Sequence, residues 1–247
     1  MQLYTRTDIG LVRSSNQDCV DGGFLFDGKL MWAVLCDGMG GANGGNVASQ
    51  TAVDVTKEAI VSFDRRASDY QAEDFLRDIV DKANSTIYNR QRRDITLQGM
   101  GTTMELIVAH KGWAMIIHVG DSRVYRIHNK KIKQLTQDHS VVQEMVNRGE
   151  ITLEQAQVHP NKNFITRAVG VDPYVIPDYI EAPFSDEDIL IVCSDGLTNY
   201  ISDKQILSYA ESCSGDELTD ALTEEAKRNG GGDNISVAVM YANNIRE

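Results

Sequence analysis

Short apolar runs, separated by polar or glycine-rich segments, recur along the chain and predict β-strands. The runs are rich in β-branched residues and end at Gly, Asp or Asn, as buried strands do. The predicted strands cover residues 30–36, 102–110, 113–120, 123–128, 188–194 and 235–242, with a further one around 19–26. The connecting sequences HKGW (110–113) and HNKK (128–131) have the character of hairpin turns. They indicate antiparallel pairing of neighbouring strands.

Other segments repeat their apolar residues at helical spacing, every three or four positions. The predicted helices cover residues 46–63, 72–93, 203–212 and 216–230, and glycines end the last of them. Strands are grouped with strands and long helices with helices, which favours an α+β fold over a βαβ alternation. Residues 138–170 show only weak helical signals, and we expect this segment to be an irregular excursion from the core.

Composition and charge narrow the class of protein. The 247 residues include 36 acidic and 24 basic side chains, which gives a net charge of −12. An acidic surface disfavours nucleic acid and anionic membranes as partners, and it favours cations. No apolar run approaches the ~18 residues of a membrane span, and the N-terminus lacks the pattern of a signal peptide. The four cysteines are scattered, so we expect a cytoplasmic protein without disulfides. No linker interrupts the sequence, and a single domain over residues 1–247 is predicted.

Aspartates recur where strands end or begin. An apolar run is followed by an aspartate at Asp37, Asp121 and Asp195. Asp233 precedes such a run, and Asp18 lies just ahead of the possible strand around residues 19–26. Any single Asp-Gly pair is typical of a turn. Together, the carboxylates can converge on one rim, where their mutual repulsion favours a bound cation. Oxygen ligands without a His or Cys shell suit Mg²⁺ or Mn²⁺.

Other kinds of site fit the sequence less well. The five histidines lack the spacing of a zinc site, and no Gly-x-Ser-x-Gly elbow supports a serine hydrolase. His118 and His128 lie in apolar runs, where packing is the expected role. The glycine-rich loop at 37–45 lies between a strand and a helix, as a dinucleotide loop does. Its third required glycine position is Asn43, so that interpretation remains a minor alternative.

Eight blocks along the chain resemble the PPM (type 2C) family of metal-dependent serine/threonine protein phosphatases, particularly its compact bacterial members. They occur in the family's order and extend over nearly the whole sequence. The blocks are GLVRSSNQD (10–18), VLCDGMGG (34–41), GMGTT (99–103), VGDSRVYR (119–126), LTQDHS (135–140), ITRAVG (165–170), IVCSDGL (191–197) and GGGDNIS (230–236). The resemblance implies a four-layer αββα sandwich, in which two antiparallel sheets are flanked by helices.

The resemblance also implies a binuclear metal centre at one edge of the sandwich. In it, Asp37 would bridge two Mg²⁺ or Mn²⁺ ions, and the Gly38 carbonyl would bind one of them. Asp195 and Asp233 would complete the other ion, and Asp18 would hold water in the outer shell. These residues are therefore the predicted metal ligands, and the catalytic set is Asp37, Asp195 and Asp233.

Two further residues and one segment take roles from the same resemblance. Asp121 matches the position that, with Asp195, binds a third and weaker ion in bacterial relatives. Arg13 matches the arginine that binds the substrate phosphate, and a guanidinium can donate two parallel hydrogen bonds to phosphate oxygens. Residues 138–170 correspond to a flap that borders the substrate cleft.

The sequence departs from the family pattern at the general acid. Some members carry a histidine in the Asp-Gly loop, whereas residues 37–45 here contain Met39 and Ala42 and no histidine. Gln17 stands where other members often have Glu. The proton for the leaving oxygen would come from water or from His139, and we expect water.

The function that these observations predict is hydrolysis of phosphoserine and phosphothreonine in proteins, reversing a bacterial Ser/Thr kinase. A monomer without nucleic-acid or membrane partners is expected. Two alternatives stay open at this point: a phosphatase dedicated to a single regulator, of the anti-sigma antagonist type, and a non-catalytic binding module.

Overall fold

The computed structural model describes residues 1–63 and 69–243, and its elements are named in chain order. The strands are β1 (Gln2–Asp8), β2 (Asp18–Leu25), β3 (Leu30–Met39), β4 (Gly101–Thr102), β5 (Met104–His110), β6 (Gly112–Val119), β7 (Arg123–His128), β8 (Lys131–Gln134), β9 (Asp178–Phe184), β10 (Ile189–Cys193) and β11 (Ile235–Tyr241). The helices are α1 (Gly41–Ile60), α2 (Asp69–Arg93), α3 (Val141–Asn147), α4 (Leu153–Gln157), α5 (Asp195–Thr198), α6 (Asp203–Ser212) and α7 (Gly215–Arg228).

The strands form two sheets, and the strand pairs within both are antiparallel. One sheet has the order β1-β11-β10-β7-β8, and the other has the order β2-β3-β5-β6-β9 with β4 paired to β3. The two predicted hairpins are confirmed, because β5 pairs with β6 and β7 pairs with β8. Antiparallel neighbours need only short turns, which agrees with the sequence pattern.

Three apolar layers hold the sandwich together. Side chains of α1 and α2, such as Leu76 and Ile79, pack on the β3-β5-β6 face of their sheet. A second layer fills the space between the sheets, and it includes Ile107 and Met240. The third layer packs α5, α6 and α7 against the other sheet through residues such as Leu222. The predicted αββα order of layers is therefore confirmed.

The strand predicted at 102–110 is divided into β4 and β5, and three edge strands were not predicted at all. The sequence pattern overlooks β1, β8 and β9, which all lie at the edge of a sheet. An edge strand is partly solvated, so its composition is more polar than that of a central strand. In β8 the burial alternates between exposed and half-buried residues, and β9 contains Pro183, which is tolerated at an edge.

The 138–170 segment, called the flap segment below, contains the two weak helices that its sequence indicates. Ser140 caps α3, and Thr152 forms a capping box with Gln155 at the start of α4. Both helices are short, and the rest of the segment is irregular, as predicted.

Two further properties follow from the described residues. In residues 1–63 and 69–243, no helix combines the length and apolar character that crossing a bilayer requires. Cys19, Cys36, Cys193 and Cys213 are all free thiols.

Candidate metal centre

Four of the predicted aspartates meet in one open pocket at the end of the sandwich. Asp37 lies near the end of β3, Asp121 in the turn from β6 to β7, and Asp195 at the start of α5. Asp233 lies two residues before β11, and Arg13 reaches the same place from the loop after β1. All five residues line a pocket of about 540 Å³. The predicted convergence of strand-end carboxylates is confirmed by this geometry.

Close backbone contacts, rather than turns, explain the glycine after two of these aspartates. Gly38 lies within β3, where an added Cβ would be 2.1 Å from the Gly45 carbonyl oxygen. At Gly196 an added Cβ would be 1.9 Å from the Asn234 carbonyl oxygen. Real side chains cannot occupy such positions. The turn interpretation therefore does not apply to either Asp-Gly pair, and each glycine allows the segments that carry the aspartates to come together.

The carboxylates of the pocket oppose one another's ionisation. Burial raises the pKa of Asp37 well above its usual value, and the neighbouring Asp18 and Asp195 raise it further. The pKa of Asp195 is also raised by burial and by Asp233, although a hydrogen bond with Asp37 partly offsets this. Burial and Asp195 likewise raise the pKa of Asp121. A nearby cation would remove the cost of ionising these groups.

Asp18 lies behind the pocket with one carboxylate oxygen unpaired. It begins β2 and stands opposite Asp37 across the strand pair. Ser194 donates a hydrogen bond of 2.8 Å to Asp18 Oδ2, whereas Oδ1 is buried without a partner among the described residues. Burial raises the pKa of Asp18 to about 7, and the nearby hydroxyls of Ser194 and Ser236 offset this only in part. An unpaired buried oxygen is costly, so it points to a ligand.

We expect Asp18→Asn to stabilise the metal-free protein, and more at pH 8 than at pH 5. The pKa of Asp18 is about 7 in the fold against an ordinary value of 3.8, so the fold favours the protonated carboxyl and the free energy of unfolding falls as pH rises through this interval. The free energy of unfolding that the metal-free wild type loses between the two pH values is on the order of 2 kcal/mol, which corresponds to roughly 4–8 °C in Tm. Asparagine keeps an acceptor for Ser194.

Thermal melts with chelator present, at both pH values, measure this effect. Asp27→Asn is the matched control, because it removes the same charge from an exposed position in the β2–β3 hairpin. An equal change in Tm at pH 5 and pH 8 would contradict the assignment of the buried charge to Asp18.

Arg13 lines the same pocket and pairs there with Asp233. Its Nη2 donates a hydrogen bond of 2.7 Å to Asp233 Oδ2, and about half of the Arg13 side chain is exposed. The neighbouring carboxylate Asp233 raises the pKa of Arg13, with smaller contributions from Asp37 and Asp195. The guanidinium is therefore held at the mouth of the pocket, where an anionic ligand would enter.

Asn234 holds the loop that carries Arg13, and the sequence pattern did not single it out. Its Oδ1 accepts a hydrogen bond of 2.8 Å from the Gln17 backbone N–H. Its Nδ2 donates hydrogen bonds of 3.0 Å to the carbonyl oxygens of Ile9 and Ser15. The only signal in the sequence is the position of Asn234 directly after Asp233.

Thr103 plays the same supporting role for Asp37. The Asp37 N–H donates to Thr103 Oγ1 at 2.9 Å, and the Thr103 N–H donates to the Asp37 carbonyl oxygen at 2.9 Å. The Thr103 hydroxyl is also 3.0 Å from the hydroxyl of Ser122, the residue after Asp121. Thr103 thus connects the segments that carry two of the aspartates. Its sequence signal was its place in the GMGTT block.

The flap segment contributes to the same pocket. Asn163 and Ile165 line it. Lys162 Nζ donates to Asn199 Oδ1 at 3.0 Å, and Asn199 Nδ2 donates to Asp195 Oδ2 at 3.0 Å. The flap segment is therefore connected to one of the predicted ligands by two hydrogen bonds.

Comparison with known proteins identifies the family. A family model described as protein phosphatase 2C matches residues 12–229. The chain belongs to this family. The resemblance inferred from the eight sequence blocks is thereby confirmed, and the fold agrees with it.

The similar phosphatases include curated proteins and solved structures. A serine/threonine phosphatase stp of Listeria welshimeri is 37% identical, over 98% of this chain and 96% of its own length. Protein phosphatase PhpP of Streptococcus pneumoniae is 35% identical over 98% of both chains. The crystal structure of Stp1 from Staphylococcus aureus matches with a TM-score of 0.92 at 33% identity, covering 98% of this chain and 95% of its own.

The residues of this phosphatase fit a hard divalent cation. The donors are carboxylate oxygens, one buried oxygen of Asp18 is unpaired, and burial opposes ionisation of the others. A catalytic domain of the phosphatase PstP, 32% identical, has been solved with two manganese ions. Among the described residues, no three His, Cys, Asp or Glu side chains already form a ligand cluster. Asp233 Oδ2 accepts from Arg13 and Asp195 Oδ2 from Asn199, and each carboxylate has further lone pairs that can bind a cation.

Proposed function

We propose that this enzyme hydrolyses phosphoserine and phosphothreonine in proteins, using bound Mn²⁺ or Mg²⁺. The observation that carries the proposal is the single pocket in which Asp37, Asp121, Asp195 and Asp233 lie beside Arg13. Carboxylates supply cation ligands and the guanidinium recognises a phosphate, so the pocket combines the two requirements of a metal-dependent phosphatase. The serine/threonine phosphatases to which the chain is similar support the same substrate class.

The ligand roles are part of this proposal. Asp37 would be the ligand common to two divalent ions, and the Gly38 carbonyl would be a ligand of one of them. Asp195 and Asp233 would be the ligands of the other ion. Asp18 would act from the outer shell, which its unpaired Oδ1 supports.

Asp121 and the flap segment complete the proposed site. Asp121, with Asp195, would hold a third and weaker ion. The flap segment borders the cleft in which a phosphorylated protein binds, and Asn163 and Ile165 support this by lining the pocket. The catalytic domain extends over residues 1–247, of which 64–68 and 244–247 lie outside the described part. Its partners are phosphorylated proteins of the cytoplasm, including a Ser/Thr kinase, and the protein acts there as a monomer.

The chain's own residues explain how a phosphate is bound. Bound divalent ions supply positive charge for the phosphoryl oxygens and lower the pKa of water towards neutrality. Arg13 donates to phosphoryl oxygens and orients the phosphorus, while Thr103 keeps Asp37 in place. The described residues that line the pocket include no histidine. We therefore assign the proton for the serine or threonine oxygen to water.

A phosphatase assay on a phosphothreonine peptide tests the proposal. We expect turnover with Mn²⁺ or Mg²⁺ and its loss with excess chelator, restored by adding the metal back. Turnover that is insensitive to chelator would overturn the mechanism. Binding of the peptide without turnover would favour the non-catalytic module, and turnover of one phosphoprotein but no peptide would favour the dedicated regulator.

A further inference from the structure

His139 holds the residue before Asp121 by two hydrogen bonds. The His139 backbone N–H donates to the Gly120 carbonyl oxygen at 2.7 Å, and the Gly120 N–H donates to His139 Nδ1 at 3.1 Å. Both contacts are buried, because only 7% of His139 is exposed. His139 thus pairs with both the N–H and the carbonyl oxygen of Gly120.

The segment that His139 holds needs an unusual backbone conformation. Gly120 has a φ of 116°, a value that side-chain-bearing residues rarely adopt. An added Cβ there would be 2.5 Å from Thr103 Cγ2. Gly120 can therefore be held only through its main chain. Its conformation directs the next residue, Asp121, into the pocket.

The same histidine is attached to the flap segment on its other side. The Thr166 N–H donates to the His139 carbonyl oxygen at 2.7 Å. The next residue along, Ser140, forms an antiparallel bridge with Ile165, which lines the pocket. The two ends of the flap segment therefore meet at His139, next to the turn that carries Asp121.

The surroundings of His139 keep its Nδ1 available as an acceptor. The His139 ring lies against the His118 ring, with 4.3 Å between the centroids and 39° between the planes, and His118 Nδ1 is 2.8 Å from Glu105 Oε1. Burial alone would lower the pKa of His118, but Glu105 raises it to about 9. Burial and the neighbouring His118 charge lower the pKa of His139 to about 4. A neutral imidazole can accept a hydrogen bond, whereas imidazolium cannot.

The remaining ring nitrogen of His139 faces away from the reaction. With Nδ1 accepting from Gly120, the neutral ring carries its proton on Nε2. This nitrogen is 3.1 Å from Arg167 Nη1 and 3.2 Å from Asp178 Oδ2, and Arg167 Nη1 also donates to Asp178 Oδ1 at 2.7 Å. Nε2 therefore faces the Arg167–Asp178 ion pair rather than the pocket.

We propose that His139 is a positioning residue, which fixes the Gly120–Asp121 turn through Nδ1 and connects it to the base of the flap segment. The inference rests on the proposed function, because the contact of His139 with Gly120 is argued to place Asp121 as a metal ligand. In this role His139 is not the general acid.

A pair of isosteric variants separates the two ring nitrogens. Asparagine places an amide oxygen near the position of Nδ1, and glutamine places one near that of Nε2. His139→Asn can still accept from Gly120, whereas His139→Gln and His139→Ala cannot. His159→Asn is the control, since His159 lies in the same segment and the one hydrogen bond that the structure records for its side chain is from the nearby Asn161 N–H.

Amide hydrogen exchange at Gly120 and Mn²⁺ titration calorimetry are the readouts, and neither requires turnover. We expect His139→Gln and His139→Ala to exchange Gly120 at least about tenfold faster. We also expect them to weaken the lowest-affinity Mn²⁺ binding by about tenfold or more, as Asp121→Ala would. His139→Asn should stay within about threefold of wild type in both measurements. The ratio of phosphopeptide to nitrophenyl phosphate turnover should be unchanged in every variant.

Three results would overturn the inference. One is slow amide exchange at Gly120 that is retained in the Gln and Ala variants. Another is an equal loss of Gly120 protection and of Mn²⁺ affinity in the Asn and Gln variants, which would indicate a purely structural role. The third is a selective loss of phosphopeptide turnover, which would make His139 the acid. If the wild type lacks metal-dependent turnover, the proposed function fails, while the exchange data still decide the positioning role.

Discussion

Asp37→Asn is expected to lower kcat/KM for a phosphopeptide by about a thousandfold or more, because it removes charge from the proposed bridging ligand. Asp195→Asn and Asp233→Asn should have effects of the same order. An amide is nearly the same size as a carboxylate, so the packing around β3 should survive. Steady-state kinetics at saturating Mn²⁺ measure the loss, and titration calorimetry shows whether metal binding falls with it.

The melting temperature of metal-free Asp37→Asn shows whether Asp37 is a metal ligand or a residue that stabilises the fold. Burial and like charges raise the pKa of Asp37, so ionised Asp37 destabilises the metal-free fold. The variant should therefore melt no lower than wild type when chelator is present. Asp27→Asn, which removes an exposed charge from the β2–β3 hairpin, should change neither property. A large fall in Tm for Asp37→Asn would show that the aspartate is structural.

The sequence was sufficient to predict the aspartates of the pocket but not the residues that hold them. Asp37, Asp121 and Asp195 are recognisable because each follows an apolar run and precedes or follows glycine. Thr103 and Asn234 act through hydrogen bonds to residues far away in the chain, and such pairs depend on how strands are placed side by side. Periodicity carries no information about that placement.

His139 shows the same limit from another direction. The sequence offered it as the alternative to water for the leaving-group proton, because residues 37–45 contain no histidine. Its role depends on which atom faces which partner, and both nitrogens of His139 are engaged outside the pocket. Only the fold brings Gly120 and Asp178 to opposite sides of one ring.

In the fold itself, central elements were predicted better than edges. The strands β5, β7 and β10 are buried and read as apolar runs, whereas β1, β8 and β9 border solvent. The strong pattern arises from burial on both faces, which edge strands lack.

Arg13→Lys is expected to raise KM for phosphopeptides more than it lowers kcat. Lysine keeps the positive charge but offers a single ammonium in place of two parallel N–H donors. The loss of a charge-assisted hydrogen bond corresponds to about 1–3 kcal/mol, or roughly 5- to 150-fold in kcat/KM. Arg13→Ala should lose at least as much, because alanine removes both the positive charge and the N–H donors that would bind the phosphate.

Because Arg13 pairs with Asp233, a proposed metal ligand, metal binding must be measured in both Arg13 variants. Calorimetry on both variants should show Mn²⁺ binding no weaker than in wild type, because removing Arg13 frees Asp233 for ligation. Arg6→Lys is the control, since Arg6 pairs with Asp220 and neither residue lines the pocket. Unchanged kinetics in Arg13→Ala would remove Arg13 from the substrate site. Loss of Mn²⁺ binding in Arg13→Lys would mean that the guanidinium organises the aspartates rather than the phosphate.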